Sequence, residues 1–326
     1  MARSAALVVV AAVLLSASLS SQGRGEAQNQ PYPRLPAPPV KSPPDTTAPD
    51  IPGVVRGGTK VQLIRDLFHS TEGPIAMPDG SVLFTEQDAG DGQLVKIDKD
   101  DKISVFVQNT NRTIGLAYDT KGRLVGVESN IPRIEVLSPT RTTLVDQIDG
   151  LPIVAPNDIV ADTKGGMYFT DTLNSRFRPT PPSRTKPWIV YIRPDGKAVK
   201  VSEEVERPNG ISLSPDGRVL YAANGPIISA FDVQPDGSLR NFRTFATLIG
   251  GNADGLCIDA DGRLYVAAGG VQVFSPKGEH LGTIKTPLNP QAPAFAGADK
   301  KTLYVVGGGA VYKIAMLAQG IKGRAK

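Results

Sequence analysis

Six phrases of one pattern recur along this chain of 326 residues: EGPIAMPDGSVLF from Glu72, IGLAYDTKGRLVG from Ile114, NDIVADTKGGMYF from Asn157, NGISLSPDGRVLY from Asn209, DGLCIDADGRLYV from Asp254 and PAFAGADKKTLYV from Pro293. The intervals between their starts are 42, 43, 52, 45 and 39 residues. Self-similarity at about 40–45 residues is the mark of a propeller array. Each phrase carries a short apolar run, a polar turn and a second apolar run, often with an aromatic. Asp79-Gly80, Asp216-Gly217 and Asp261-Gly262 are strong hairpin signals between such runs. No stretch before the C-terminus shows sustained helical periodicity with caps. The expected fold is therefore all-β, a six-bladed β-propeller. A β-sandwich would not require a repeated phrase at this interval. The last repeat runs out after LYVVGGGAVYKIAM, one outer strand short, while KVQLIRDLF (60–68) precedes the first repeat with no blade of its own. This predicts a ring closed by an N-terminal strand joining the last blade, which removes an exposed edge.

Outside the repeats, residues 1–27 have the pattern of a secretory signal peptide: Arg3, an apolar run from Ala5 to Leu15, then small residues up to Ala27. The run is shorter than the about 20 residues of a membrane span, so no stable span is expected after cleavage. Residues 28–58 contain PYPRLPAPPVKSPPD and read as a Pro-rich linker. The propeller is expected over 59–318, with a basic C-terminal tail at 319–326 read as a solvated terminus. Cys257 is the only cysteine, so no intrachain disulfide forms. Together with the signal, this points to an exported protein of a bacterial periplasm, or a secreted one. The formal charge is +4, without basic residues interleaved with aromatics, so nucleic-acid binding has no support. Nothing in the sequence specifies a protein partner.

In a propeller the first strand of each blade lines the central channel, so the phrase starts form a ring: Glu72, Ile114, Asn157, Asn209, Asp254 and Pro293. Four of the six carry a side-chain oxygen and two are apolar. Asn and Asp cap turns, which accounts for any one of these residues, but accounts poorly for four at one repeat position. Carboxylate and amide oxygens without sulfur or imidazole suit one hard divalent cation, Ca2+ first, with Mg2+ and Mn2+ sharing the chemistry. Zn2+ fits less well, since the only histidines, His69 and His280, lie outside the ring.

The phrases EGP (72–74), PND (156–158), RPNG (207–210) and ADG (253–255), in that order, resemble the SMP-30/gluconolactonase/LRE-like family of six-bladed propellers. The resemblance spans roughly residues 60 to 315. It implies a metal-dependent lactonase or esterase, with a divalent cation, often calcium, at the channel mouth and a small-molecule lactone or ester as substrate. Carried over position by position, Glu72, Asn157, Asn209 and Asp254 match the metal-site residues. Asp254 also matches the acid proposed as general base or nucleophile. Some members place an arginine two residues before the equivalent of Asn157; here Ala155 stands there, a departure from their sugar-lactone site.

Further substrate contacts are expected from Asp158, Arg176, Trp188, Asn111 and Arg112. Asp158 is a candidate proton donor, or an acceptor for a bond to a neighbouring blade. Arg176, Phe177, Arg178 and Trp188 belong to DTLNSRFRPTPPSRTKPW (171–188) in the longest interval, either a lid or a surface excursion. Asn111 and Arg112 precede the second phrase at the same mouth, where an exposed loop is the plainer account. A GxSxG elbow is absent, which argues against a serine hydrolase. Two other functions stand beside the lactonase. One is a non-catalytic, metal-stabilised ligand-binding or sensor propeller. The other is a strictosidine-synthase-like condensing enzyme, a related propeller without this ring. The four oxygens disfavour the second and leave the first open.

Overall fold

Each Asp–Gly turn reverses the chain between two apolar runs, and the backbone shows why glycine is needed. Gly80 and Gly217 adopt φ of +84° and +70°, a region that a Cβ disfavours. The Asp79 carboxylate accepts the Ser81 N–H at 2.9 Å and Asp216 accepts that of Arg218 at 3.1 Å, closing the turns from the inside. A computed structural model describes residues 36–326. Its strands form six antiparallel blades, one per phrase, and a separate two-stranded ribbon of Gln147–Ile148 with Leu151–Pro152. The first blade comprises Thr71–Ala76, Val82–Glu86, Gln93–Ile97 and Ile103–Gln108 from the axis outward. The inner strands of the next five are Thr113–Tyr118, Ala155–Ala161, Pro208–Leu213, Leu256–Ile258 and Ala292–Ala296. Each inner strand packs against those of the blades before and after it, and the sixth returns to the first.

The ring closes as the sequence predicts. Lys60–Arg65 pairs antiparallel with Ala310–Ala315 and supplies the outer strand of the sixth blade. Thr46–Thr47 adds a further short strand outside it. From there to Val55 the stretch expected as linker is packed, with Ala48, Ile51, Val54 and Val55 buried against the fifth and sixth blades. Four apolar side chains among prolines are too sparse for a periodic signal, yet enough to seat a strap. The expected signal segment and the start of the linker lie outside the described residues. Residues 319–326, expected as a solvated tail, cross the end of the channel where the inner strands finish. Ala76 N–H donates to the Ala325 carbonyl at 2.9 Å, and Arg324 donates to the Leu213 and Ser214 carbonyls at 3.2 and 3.0 Å. Among the described residues no helix is long and apolar enough to cross a membrane.

The core is divided among the blade interfaces. Six apolar clusters form, one between each adjacent pair of blades, and none fills the axis. Between the first two, Ile75, Leu83 and Leu94 meet Leu116, Leu124 and Leu137. Around the axis the contact is backbone on backbone, through the residue after each phrase start: Gly73, Gly115, Gly210 and Gly255. A Cβ on Gly210 would stand 2.5 Å from the Asp254 carbonyl, and one on Gly115 would stand 2.7 Å from Asp158 Cα. Gly210→Ala therefore forces two inner strands apart, at a cost of about 1–3 kcal/mol. Urea denaturation should show a correspondingly lower midpoint, whereas Gly196→Ala, in an open turn, should show only the smaller cost of its φ of +88°.

Candidate metal centre

The inner strands carry the phrase starts to one end of the channel and break register there. The ladder to the second strand slips between Glu72 and Ile75, Thr113 and Leu116, Pro156 and Ile159, and Pro208 and Ile211. A bulge re-aims side chains that a regular strand would alternate between faces. Glu72, Asn157 and Asn209 line one cavity on the axis, with Ile114 and Pro293 supplying its apolar side. Its volume, about 10 Å³, suits the centre of a single water-sized or ion-sized particle. Asp254 stands beside it, next to Gly255 of the lining, and the Asn209 side chain and the Gly255 N–H favour its charged form. A groove of about 500 Å³ between the third and fourth blades, near Tyr168 and Tyr191, is larger, but its acids already have partners: Asp162 accepts from Tyr191, Asp216 from Ser214, and Asp232 from Asn241 and Arg243.

Electrostatically the site is under load. Burial, then the charges of Asp254 and Asp158, hold the Glu72 carboxyl well above the usual range. Gln291 partly relieves it by donating to Oε1 at 2.7 Å. Burial pushes Asp254 up to about 7, against the bond from Asn209, and the Asp158 charge adds to the rise. Like carboxylates held close in protein surroundings raise one another this way when no cation stands between them. Among the described residues no three of His, Cys, Asp and Glu gather as a metal cluster. Any hard cation here would use the two acids together with the amides of Asn157 and Asn209. Gln291 is the residue that sequence reasoning missed. It precedes the sixth phrase by two residues, and the only signal was a polar amide beside the ring's apolar position.

Asp158 occupies the position that is glycine in four other blades. Its carboxylate accepts the Ile159 and Ile211 N–H groups, both at 2.9 Å, so it bridges the third and fourth blades. It also lines the axial cavity. Lys326 reaches it from the far end of the channel and bonds to the same oxygen that Ile211 uses. Asn111 is turned inward, its amide held by Glu128 at 2.6 Å and by the backbone of Ile131.

Arg112 and Arg176 do come together. Both ion-pair with Asp88, at 2.7 and 3.0 Å, and the Asp88 side chain is fully buried between them. Phe177 lies against both guanidiniums, with its ring centre 5.0 and 5.5 Å away, while Arg178 bonds the Asn130 carbonyl at 2.8 Å. The loop after Met167–Thr172 thus spans from the third blade to the first, at the end where Glu72 lies. Trp188 is not part of this group. It opens the third strand of its blade, buried with Val190 and Ile192, stacked under Arg184 at 3.4 Å and donating to Glu203. Strand alternation, not closeness in sequence, decides its face. Asp88→Ala leaves two arginines without their shared acid and should free the loop. Limited trypsin digestion should then cut after Arg176 about tenfold faster or more, given the cost of breaking a buried pair.

The fold agrees with comparisons to known proteins. The model of the SMP-30/Gluconolactonase/LRE-like region matches residues 70–308. A gluconolactonase of Zymomonas mobilis is 26% identical over 292 residues, covering 79% of this chain and 82% of that one. A regucalcin of Xenopus laevis is 29% identical over 174 residues, covering 50% of this chain and 58% of its own. Among solved structures, a gluconolactonase of Xanthomonas campestris superposes with a TM-score of 0.75 at 26% identity, over 85% of this chain and 99% of that one. With its ring of phrase starts and a match across most of its length, the chain belongs to the SMP-30/gluconolactonase/LRE-like family.

Proposed function

We propose that this protein is a hydrolase of lactones or related esters that works with one divalent cation, Ca2+ first, at the mouth of the channel. The observation that carries this reading is the meeting of Glu72, Asn157 and Asn209 on an ion-sized cavity, with Asp254 beside it. Two acids and two amides form an all-oxygen donor set of the kind hard cations take. Burial first, and then the neighbouring acids, raise Glu72 and Asp254, and a cation among them would offset the part due to the acids. The gluconolactonase and lactonase relatives support the reaction class, and the regucalcin relatives support calcium.

Glu72, Asn157, Asn209 and Asp254 would hold the ion. When bound, it would polarise the scissile carbonyl and offset the charge that grows on its oxygen. Asp254 would take the proton of the attacking water and return it to the ring oxygen as the acyl C–O bond breaks. If it attacked the carbonyl itself, the ring oxygen would leave as alkoxide and take up a proton from water, and a second water would open the acyl intermediate. Asn209 fixes the Asp254 carboxylate by its hydrogen bond, and Gln291 fixes Glu72. Arg112, Arg176 and Phe177 wall the mouth on the side of the first two blades and would meet the substrate's body.

Purified protein should open members of a panel of aliphatic, aromatic and sugar lactones. Chelation should take turnover to background, and added Ca2+ should restore it. Cation binding without turnover of any lactone or ester would instead make the ion a structural pin and the protein a binder. Asp254→Asn should lower kcat by about 10²–10⁴-fold, the range of a lost acid–base group. Gln291→Leu, which frees Glu72, should weaken Ca2+ binding in calorimetry while leaving the fold intact.

A further inference from the structure

Three carboxylates stand close enough to act on one another here, one more than the ring alone supplies: Glu72 and Asp158 line the cavity, and Asp254 lies beside it. The charges of Asp254 and Asp158 both act on Glu72, and that of Asp158 acts on Asp254. Three negative charges exceed a divalent cation by one. The structure contains a fourth charge that removes the excess. Lys326 lines the same cavity, and its ammonium pairs with Asp158. Both side chains are nearly buried, 9% and 8% exposed, so water screens the pair little.

The lysine is held there by a built path. Residues 319–325 cross the far end of the channel with bonds to four blades. Gln319 accepts from Ala260 at 2.8 Å and Gly320 donates to Lys300 at 2.9 Å. Arg324 reaches the Leu213 and Ser214 carbonyls, while its own carbonyl accepts the Lys300 ammonium at 2.6 Å. Ala325 is fixed by the Ala76 N–H and packs beside the cluster of the first two blades. A chain fixed at residues 319, 320, 324 and 325 directs residue 326 up the axis.

We propose that Lys326 is a positioning residue of the cation centre: it neutralises Asp158 from below, so that the centre presents two net negative charges and prefers a divalent ion to a trivalent one. The inference rests on the cation reading above and adds a residue to it. Asp158 is thereby kept as the acceptor that joins the third and fourth blades and is withheld from the ion.

The test is calorimetric titration of Ca2+ and Tb3+ into the full chain and its variants, a readout independent of turnover. Lys326→Met should tighten Ca2+ by about tenfold and Tb3+ by about thirtyfold, since the Coulomb gain scales with the charge of the ion. Asp158→Asn should weaken both by similar factors, and the double variant should return close to the wild-type values. Lys322→Met, which alters an exposed lysine of the same segment, should change nothing. That return in the double variant is not expected of a lysine that only braces the tail. Wild-type binding with Lys326→Met unchanged within twofold would overturn this proposal and leave the cation reading standing. Absence of any cation binding by the wild-type chain would overturn both. If Lys326→Met does not fold, Asp158→Asn alone decides: unchanged affinity overturns the proposal.

Discussion

The backbone contact between neighbouring inner strands is the constraint on which the rest of this protein depends. A ring of six strands around an axis can close only if adjacent backbones approach, and in four blades the residue at the contact is glycine with no room for a Cβ. That contact fixes how far each inner strand can slide along the axis. It thereby sets the level at which the preceding residue presents its side chain. Glu72, Asn157, Asn209 and Asp254 each stand one residue before the contact position. Packing and chemistry are thus coupled one residue apart, and a shift in either moves the other. The six apolar clusters hold the blades against each other outside this ring, so the axis itself needs no apolar filling and is free for polar side chains.

Asp158 is the exception that shows how the constraint works. With a carboxylate in place of glycine, the third and fourth blades are joined through a side chain, which accepts the Ile211 N–H that the bulge of the fourth blade turns toward it. Thr170 reinforces this joint, donating to the Asn209 carbonyl at 2.7 Å and accepting the Asp158 N–H at 3.2 Å. The exchange places a third acid on the axis. A buried acid needs a partner or a cation, and the chain supplies Lys326.

The sequence showed what repeats and hid what occurs once. Blade number follows from aligning one phrase with itself, because each copy repeats the same physical problem, and ring closure by Lys60–Arg65 follows from the strand that the last copy lacks. Gln291, Lys326 and the strap from Thr46 to Val55 have no counterpart in other blades, so alignment could not mark them. Lys326 stands in a basic run, and composition alone reads such a run as solvated. Its meaning depends on a path across four blades that no local pattern encodes. Trp188 erred the other way: its neighbours in sequence suggested a lid, while the period-two alternation of Trp188–Ile192 puts it into the packing between the second and third blades.

The two ends of the channel therefore do different work. At the mouth, Asp88 holds Arg112 and Arg176 together over Phe177 with a fully buried carboxylate. This leaves a wall of one net positive charge and an aromatic face. At the far end the segment 319–326 closes the channel, and only Lys326 reaches through to the cavity. On the proposed reading, a substrate would enter at the mouth and meet a positive rim before an acidic floor. Such a gradient favours a ligand whose oxygens carry partial negative charge, directed inward past the arginines to a centre whose net charge is set from below. On the proposal above, the size of that net charge, two negative rather than three, is set by one lysine carried by the closing segment. Changes in the closing segment should therefore reach the chemistry even though they touch no substrate.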